Sequence, residues 1–317
     1  MMTETNILRA DGDGAFSEQE HRSSARAKDN RKPDVKFRRG LTLPELVVVT
    51  LIVLVSLCLV IVWLVNKRES ARRAQCTLFL HLLGNGLSDY ALRHKAFPYG
   101  TVPNPALPPE RRFSWYVEAW PAVGIRNTRL LVEADKPWDA PENLSQRLLA
   151  ADDQGQEQPV AVVPKFHCPA HRYRPSPGRP GLTTYIGLAG LGEDTPLLTS
   201  HDPRLGIWGY DRRTPLDQIT DGLQVTLLLA ETGRDLGPWT AGGPATVRGL
   251  PMDGRPQLGV GNPLGGLHPG GCNAVFADPR VQFIAEDIDP LVLAAMVTIA
   301  GGQDEESRWQ QQFPRRQ

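Results

Sequence analysis

Residues 36–73 read KFRRGLTLPELVVVTLIVLVSLCLVIVWLVNKRESARR. Leu46 to Val65 is twenty residues without a charge. At about 1.5 Å per residue a helix of that length spans roughly 30 Å, the thickness of a bilayer core. The run ends in Trp63, Lys67 and Arg68, as an anchor does, and not in the small residues of a cleaved secretory signal. The basic cluster Arg31, Lys32, Lys36, Arg38 and Arg39 sets the N-terminus on the cytoplasmic side of the inner membrane. The bulk of the chain is then expected in the periplasmic or extracytoplasmic space. One residue is out of character. Glu45 puts a carboxylate at the start of the apolar run, where an unmatched charge is costly and marks function.

Outward from that stretch, the chain of 317 residues balances 35 basic against 35 acidic side chains. No basic stripe with interleaved aromatics is present, so nucleic acid is not an expected partner. Thirty glycines and 28 prolines predict many turns and little helix beyond the N-terminal segment. Residues 1–34 are polar, of mixed charge and poor in large apolar groups, which predicts a disordered leader. A start at Val35 would shorten that leader to six residues.

Beyond the membrane segment, Cys76, Leu80, Leu83, Leu87, Tyr90, Ala91 and His94 recur at spacings of three and four. That period predicts one helix over about 42–94, half in the membrane and half amphipathic. Gly84 and Gly86 weaken it by about 1 kcal/mol each relative to Ala and suggest a bend. Residues 113–123 are apolar and aromatic and fit a helix or a strand equally. Strands are expected at 160–169, 183–192 and 224–232. A hairpin is expected over 273–284, turning at Asp278-Pro279 with Pro279 at the second position of a type I turn. Asp289-Pro290 is a helix start, a capping acid followed by Pro at the first position. That helix should run to about Ile299 and stop at Gly301-Gly302. Residues 303–317 read as a disordered tail.

The run Arg38-Arg39-Gly40-Leu41-Thr42-Leu43-Pro44-Glu45 resembles the processing site of type IV prepilins and type II secretion pseudopilins. The resemblance implies cleavage after Gly40 by a prepilin peptidase and methylation of the new N-terminus at Leu41. It makes Glu45 the assembly residue, whose carboxylate neutralises the new amine of a neighbouring subunit. Pro44 falls in the first turn, where its missing N–H costs nothing.

A set of short motifs in order resembles one large bacterial prepilin-like family whose domain is classed as of unknown function (1559). They are Arg72-Arg73 with Cys76, Ser114-Trp115, Pro137-Trp138-Asp139 with Glu142-Asn143, Phe166 with Cys168-Pro169, and Thr220-Asp221-Gly222. The last is a His-nine residues-Asp-Gly motif, here His268 to Asp278 with Asn273 inside it and Pro279 replacing the glycine. The resemblance implies an α+β, pilin-like fold. Its long N-terminal transmembrane and amphipathic helix packs on an antiparallel sheet, with a loop-rich C-terminal body. It divides the chain into a leader at 1–40, a membrane helix at 41–66, an extracytoplasmic domain at 67–302 and the tail. It also implies a disulfide between Cys76 and Cys168. Cys168–Cys272 pairing and free thiols remain alternatives.

Other chemistry is weak. His167, Cys168, His171, His268 and Cys272 have short pair spacings of the zinc-ligand kind, but polar loop groups bonded to backbone account for them, so neither metal nor cofactor is expected. His268 and Asp278 invite an acid–base reading, and Asp287 with Asp289 a calcium site. Hairpin structure and helix capping explain those residues more simply. No G-x-S-x-G, H-E-x-x-H or Walker lysine is present, so the chain is read as a non-enzyme. Trp115 and Trp138 read as core or loop anchors. The expectation is a minor subunit of a pilus-like or pseudopilus-like assembly. Its partners would be prepilin peptidase, other pilin or pseudopilin subunits and membrane lipid. The alternatives are a non-filamentous anchored binding module and, further off, a metal-assisted extracytoplasmic enzyme.

Overall fold

A computed structural model describes residues 42–144, 148–176, 179–199 and 201–301. The leader at 1–40, with Gly40 and Val35, lies outside the described residues, as do Leu41 and the tail at 303–317. The chain divides into two compact units, Met1–Ser56 and Leu57–Gln317.

Helix α1 runs from Leu43 to His94. Thr42 opens it, donating from its N–H and from its hydroxyl to Glu45 Oε2, both at 2.8 Å. The apolar residues from Leu46 to Val65 are exposed. By length and composition this helix can cross a membrane.

In the second unit α1 turns from apolar all round to one-faced. Cys76, Leu80, Leu83, Leu87, Tyr90 and Ala91 are buried. His94, expected on the stripe, is exposed and stacks on Tyr90 instead, with ring centroids 4.2 Å apart. Gly84 and Gly86 both lie within the continuous helix and on its buried face. They let the helix come close to its neighbours. A Cβ on Gly84 would lie 2.6 Å from Val275 Cγ2, and one on Gly86 would lie 2.5 Å from the Ala122 carbonyl oxygen. The ambiguous aromatic stretch forms two short helices, α2 (Trp115–Glu118) and α3 (Trp120–Val123).

Two sheets follow. Strands β1 (Thr128–Leu131), β2 (Leu149–Asp152) and β3 (Glu157–Pro159) form a small antiparallel sheet. Strands β4 (Tyr185–Leu191), β5 (Leu227–Glu231), β6 (Val247–Leu250), β7 (Gly271–Phe276) and β8 (Val281–Ala285) form the main sheet, ordered β6-β4-β5-β7-β8. The expected antiparallel sheet needs one correction, since β6 pairs parallel with β4. Strands β1, β2, β3 and β6 are short and lack a run of alternating residues, so periodicity does not mark them.

The strand expected at 160–169 is absent. Pro164 to Phe166 is instead a single 3₁₀ turn, because Pro164 and Pro169 deprive the segment of ladder donors. Helix α4 (Pro290–Val297) starts where expected, with Asp289 accepting from the Leu291 N–H at 2.8 Å, but ends before Ile299.

The main sheet is buried on both faces, which is why β4, β5 and β7 are nearly continuous apolar runs. Tyr185, Ala189, Leu229 and Val275 face a core shared with α1, α2 and α3. Trp115, Tyr116, Trp120, Phe166, Trp208 and Trp239 fill that core and are almost wholly buried. On the other face Ile186, Leu188, Leu227, Ala274 and Phe276 pack with Leu293, Ala294 and Val297 of α4.

Candidate functional site

The densest group of chemically able side chains sits where α1 meets the main sheet. Glu69 and Cys76 are seven residues apart, two helical turns, and so share a face of α1. Cys168 follows the 3₁₀ turn at Pro164–Phe166, Glu231 ends β5, and His268 lies in the loop before β7.

Cys76 and Cys168 are disulfide-bonded, with Cα atoms 5.4 Å apart across 92 residues of chain. Closing a loop of that length removes about 4–5 kcal/mol of unfolded-state entropy in the chain-entropy account. His268 lies against this bridge, its Nε2 3.3 Å from Cys168 Sγ. Its Nδ1 is 2.6 Å from Glu69 Oε1, and its Nε2 is 3.5 Å from Glu231 Oε1. Burial alone would lower the pKa of the imidazole. The carboxylates of Glu231 and Glu69 outweigh it and hold the ring above its ordinary value.

Glu231 is wholly buried at the end of an otherwise apolar strand. Asn273 on β7 holds it, donating from its backbone N–H at 2.7 Å and from Nδ2 at 3.0 Å, both to Oε2. Thr77 on α1 donates in turn to Asn273 Oδ1 at 3.4 Å. Helix, sheet and loop are thus joined by one disulfide and one polar network.

The other residues singled out by sequence lie elsewhere. Trp138, Asp139 and Asn143 build a separate turn. Trp138 Nε1 donates to the Glu110 carbonyl at 2.9 Å, and Asp139 pairs with Arg111 at 3.2 Å. Asn143, buried, accepts from the Glu133 N–H and donates to the carbonyls of Glu133 and Pro137. Asp221 accepts from the Gly301 N–H at 2.7 Å, tying down the chain after α4, and Gly222 beside it holds a φ of 102°. Asp278 does not meet His268. It pairs with Arg280 at 2.6 Å across the hairpin turn. Pro279 departs from the expected type I turn, with a φ of 24° where a pyrrolidine ring prefers about −65°.

Of the five residues with zinc-ligand spacing, Cys168 and His268 meet in the cluster with Glu231. His167 and His171 face each other at 3.0 Å, and His167 is pushed down to about 4 by burial and by its neighbour. Cys272 is a buried free thiol in the second core cluster, its pKa raised by burial and by Glu231. Sequence reading missed Glu69 and Glu231. The only trace of Glu231 was an acid closing the apolar run Leu227–Ala230.

The family model described as "Protein of unknown function (DUF1559)" matches residues 66–255, more than half of the chain. The chain belongs to this family. No curated protein and no solved structure matches it. The DUF1559 match takes in Glu69, Cys76, Cys168 and Glu231 and ends before His268. The loop that completes the cluster therefore lies outside the matched DUF1559 segment. Family membership and the apolar helix together fit a membrane-anchored extracytoplasmic protein.

Proposed function

We propose that the chain is a prepilin-like membrane protein, cut after Gly40 and methylated at Leu41. Its α+β body would stand outside the cytoplasmic membrane and its N-terminus inside. Its role is structural, as a minor subunit of a pilus-like or type II secretion pseudopilus-like assembly, and no catalytic role is assigned to it. Prepilin peptidase, other pilin or pseudopilin subunits and membrane lipid are the partners this reading requires.

The observation that carries it is the position of Glu45. It is the one acid in the first turn of a 52-residue helix whose following twenty residues are uncharged and exposed. Such a carboxylate needs a cation, and the new α-amine of a neighbouring subunit supplies one in the apolar environment of the assembly. The sequence Arg38-Arg39-Gly40 just before it supplies the cleavage site.

The test is to express the full chain with and without a prepilin peptidase and to identify the mature N-terminus by mass spectrometry. A methylated Leu41 supports the reading. An intact leader in the presence of active peptidase overturns it and leaves a non-filamentous anchored binding module. Glu45→Ala is expected to abolish co-assembly with other subunits while folding and membrane retention persist.

A further inference from the structure

We propose that Cys76, Cys168, Glu231 and His268 form a binding site for a thiophilic divalent cation of the zinc class, available when the Cys76–Cys168 bridge is reduced. One donor atom from each of the four residues lies within 4.8 Å of the others, and all four residues are buried. Two sulfurs, one imidazole nitrogen and one carboxylate oxygen make a four-donor set of the kind zinc takes. Its sulfur content disfavours calcium and magnesium.

Two further features prepare the site. Glu69 holds His268 at Nδ1, which leaves Nε2 on the cluster side beside Cys168 Sγ. A carboxylate behind a ligating histidine fixes its ring orientation and raises its basicity. Second, Asn273 occupies only Oε2 of Glu231. The other oxygen, Oε1, is buried, has no hydrogen-bond partner among the described residues, and points toward His268 Nε2. A buried carboxylate oxygen left in that state is costly, and a cation among these four residues satisfies it.

The chemistry balances with an external dithiol. Its two thiols deliver two electrons and two protons, cleave the Cys76–Cys168 bond and leave as a disulfide. The cation then forms two S–metal bonds and displaces the two thiol protons, together with the Nε2 proton wherever the ring carries one. Bridge and cation are alternative occupants of one set of residues.

The experiment titrates full-length, detergent-solubilised protein with cobalt(II), before and after reduction by a phosphine. One cobalt per chain is expected in the reduced protein only, with thiolate-to-cobalt charge transfer and tetrahedral ligand-field bands, both abolished by added zinc. Glu69→Gln should weaken binding about 10–100-fold, as loss of such a supporting contact does. Cys272→Ser should change nothing. A reduced, folded chain that binds no cobalt overturns the proposal, and so does equal binding by Cys168→Ser. If reduction unfolds the chain, recovery of its circular dichroism on adding zinc supports the site, and failure to recover overturns it.

Discussion

Glu69 Oε1 and His268 Nδ1 stand 2.6 Å apart although 199 residues separate them in the chain. The contact ties α1 to the loop entering β7, and the His268 side chain is 1% exposed. His268 also serves Glu231, which is entirely buried. Losing His268 therefore leaves the buried Glu231 carboxylate without the imidazole 3.5 Å from it, whereas losing the Glu69 charge leaves that contact in place. His268→Ala is expected to lower the unfolding free energy of the disulfide-intact protein by about 3–5 kcal/mol. Glu69→Gln should lower it by about 1–3 kcal/mol. Guanidinium unfolding measures both, and equal losses would contradict this division of roles.

The two helix glycines are expected to resist improvement. Alanine has the better helix propensity by about 1 kcal/mol. Here its methyl would enter space held by Val275 or by the Ala122 carbonyl. Overpacking of this kind costs about 1–3 kcal/mol. Gly86→Ala should destabilise more than Gly84→Ala, because a backbone carbonyl yields less than a side chain. Adding Val275→Ala to Gly84→Ala should give a loss smaller than the sum of the two single losses. Thermal melts of the four variants decide this, and a higher Tm for Gly86→Ala would refute it.

Acid sensitivity is expected from Arg204. Its guanidinium grips Asp194 with two bonds of 2.9 Å and Asp202 with bonds of 3.1 and 2.9 Å. Hydrogen bonds from Arg204 are the largest cause holding both carboxyls below their ordinary value of 3.8. Groups depressed in the folded state stabilise it above the unfolded pKa and lose that effect as pH falls through the folded one. Stability should therefore drop below about pH 4. Arg204→Gln should flatten that part of the Tm-against-pH curve, and an unchanged slope would rule the cluster out as its source.

Much of the architecture was legible along the chain because it is written in local periodicity. The uncharged run, the three-four stripe from Cys76, the apolar strands at β4, β5 and β7, and the Asp289 cap are each patterns of neighbours. Proline punctuation was legible less well. The stretch at 160–169 looked like a strand by its apolar content, yet its prolines decided against one. Gly84 and Gly86 looked like defects, because a single helix offers no view of the surfaces it approaches.

The sequence by itself determined the membrane-length apolar helix, the lone acid at its start, the burial stripe beyond it and the approximate places of the main strands. These follow from spacing and from the free energy of moving apolar groups out of water. Only the tertiary structure decided that Glu69, Glu231 and His268 gather around Cys76 and Cys168, and that His167, His171 and Cys272 do not. Those residues lie on a helix, a strand end and two loops up to 199 positions apart. Their meeting depends on the packing of α1 across β7 and on the register that sets Asn273 beside Glu231. No local pattern carries that information, since it arises from long-range contacts that close only when the whole core is formed.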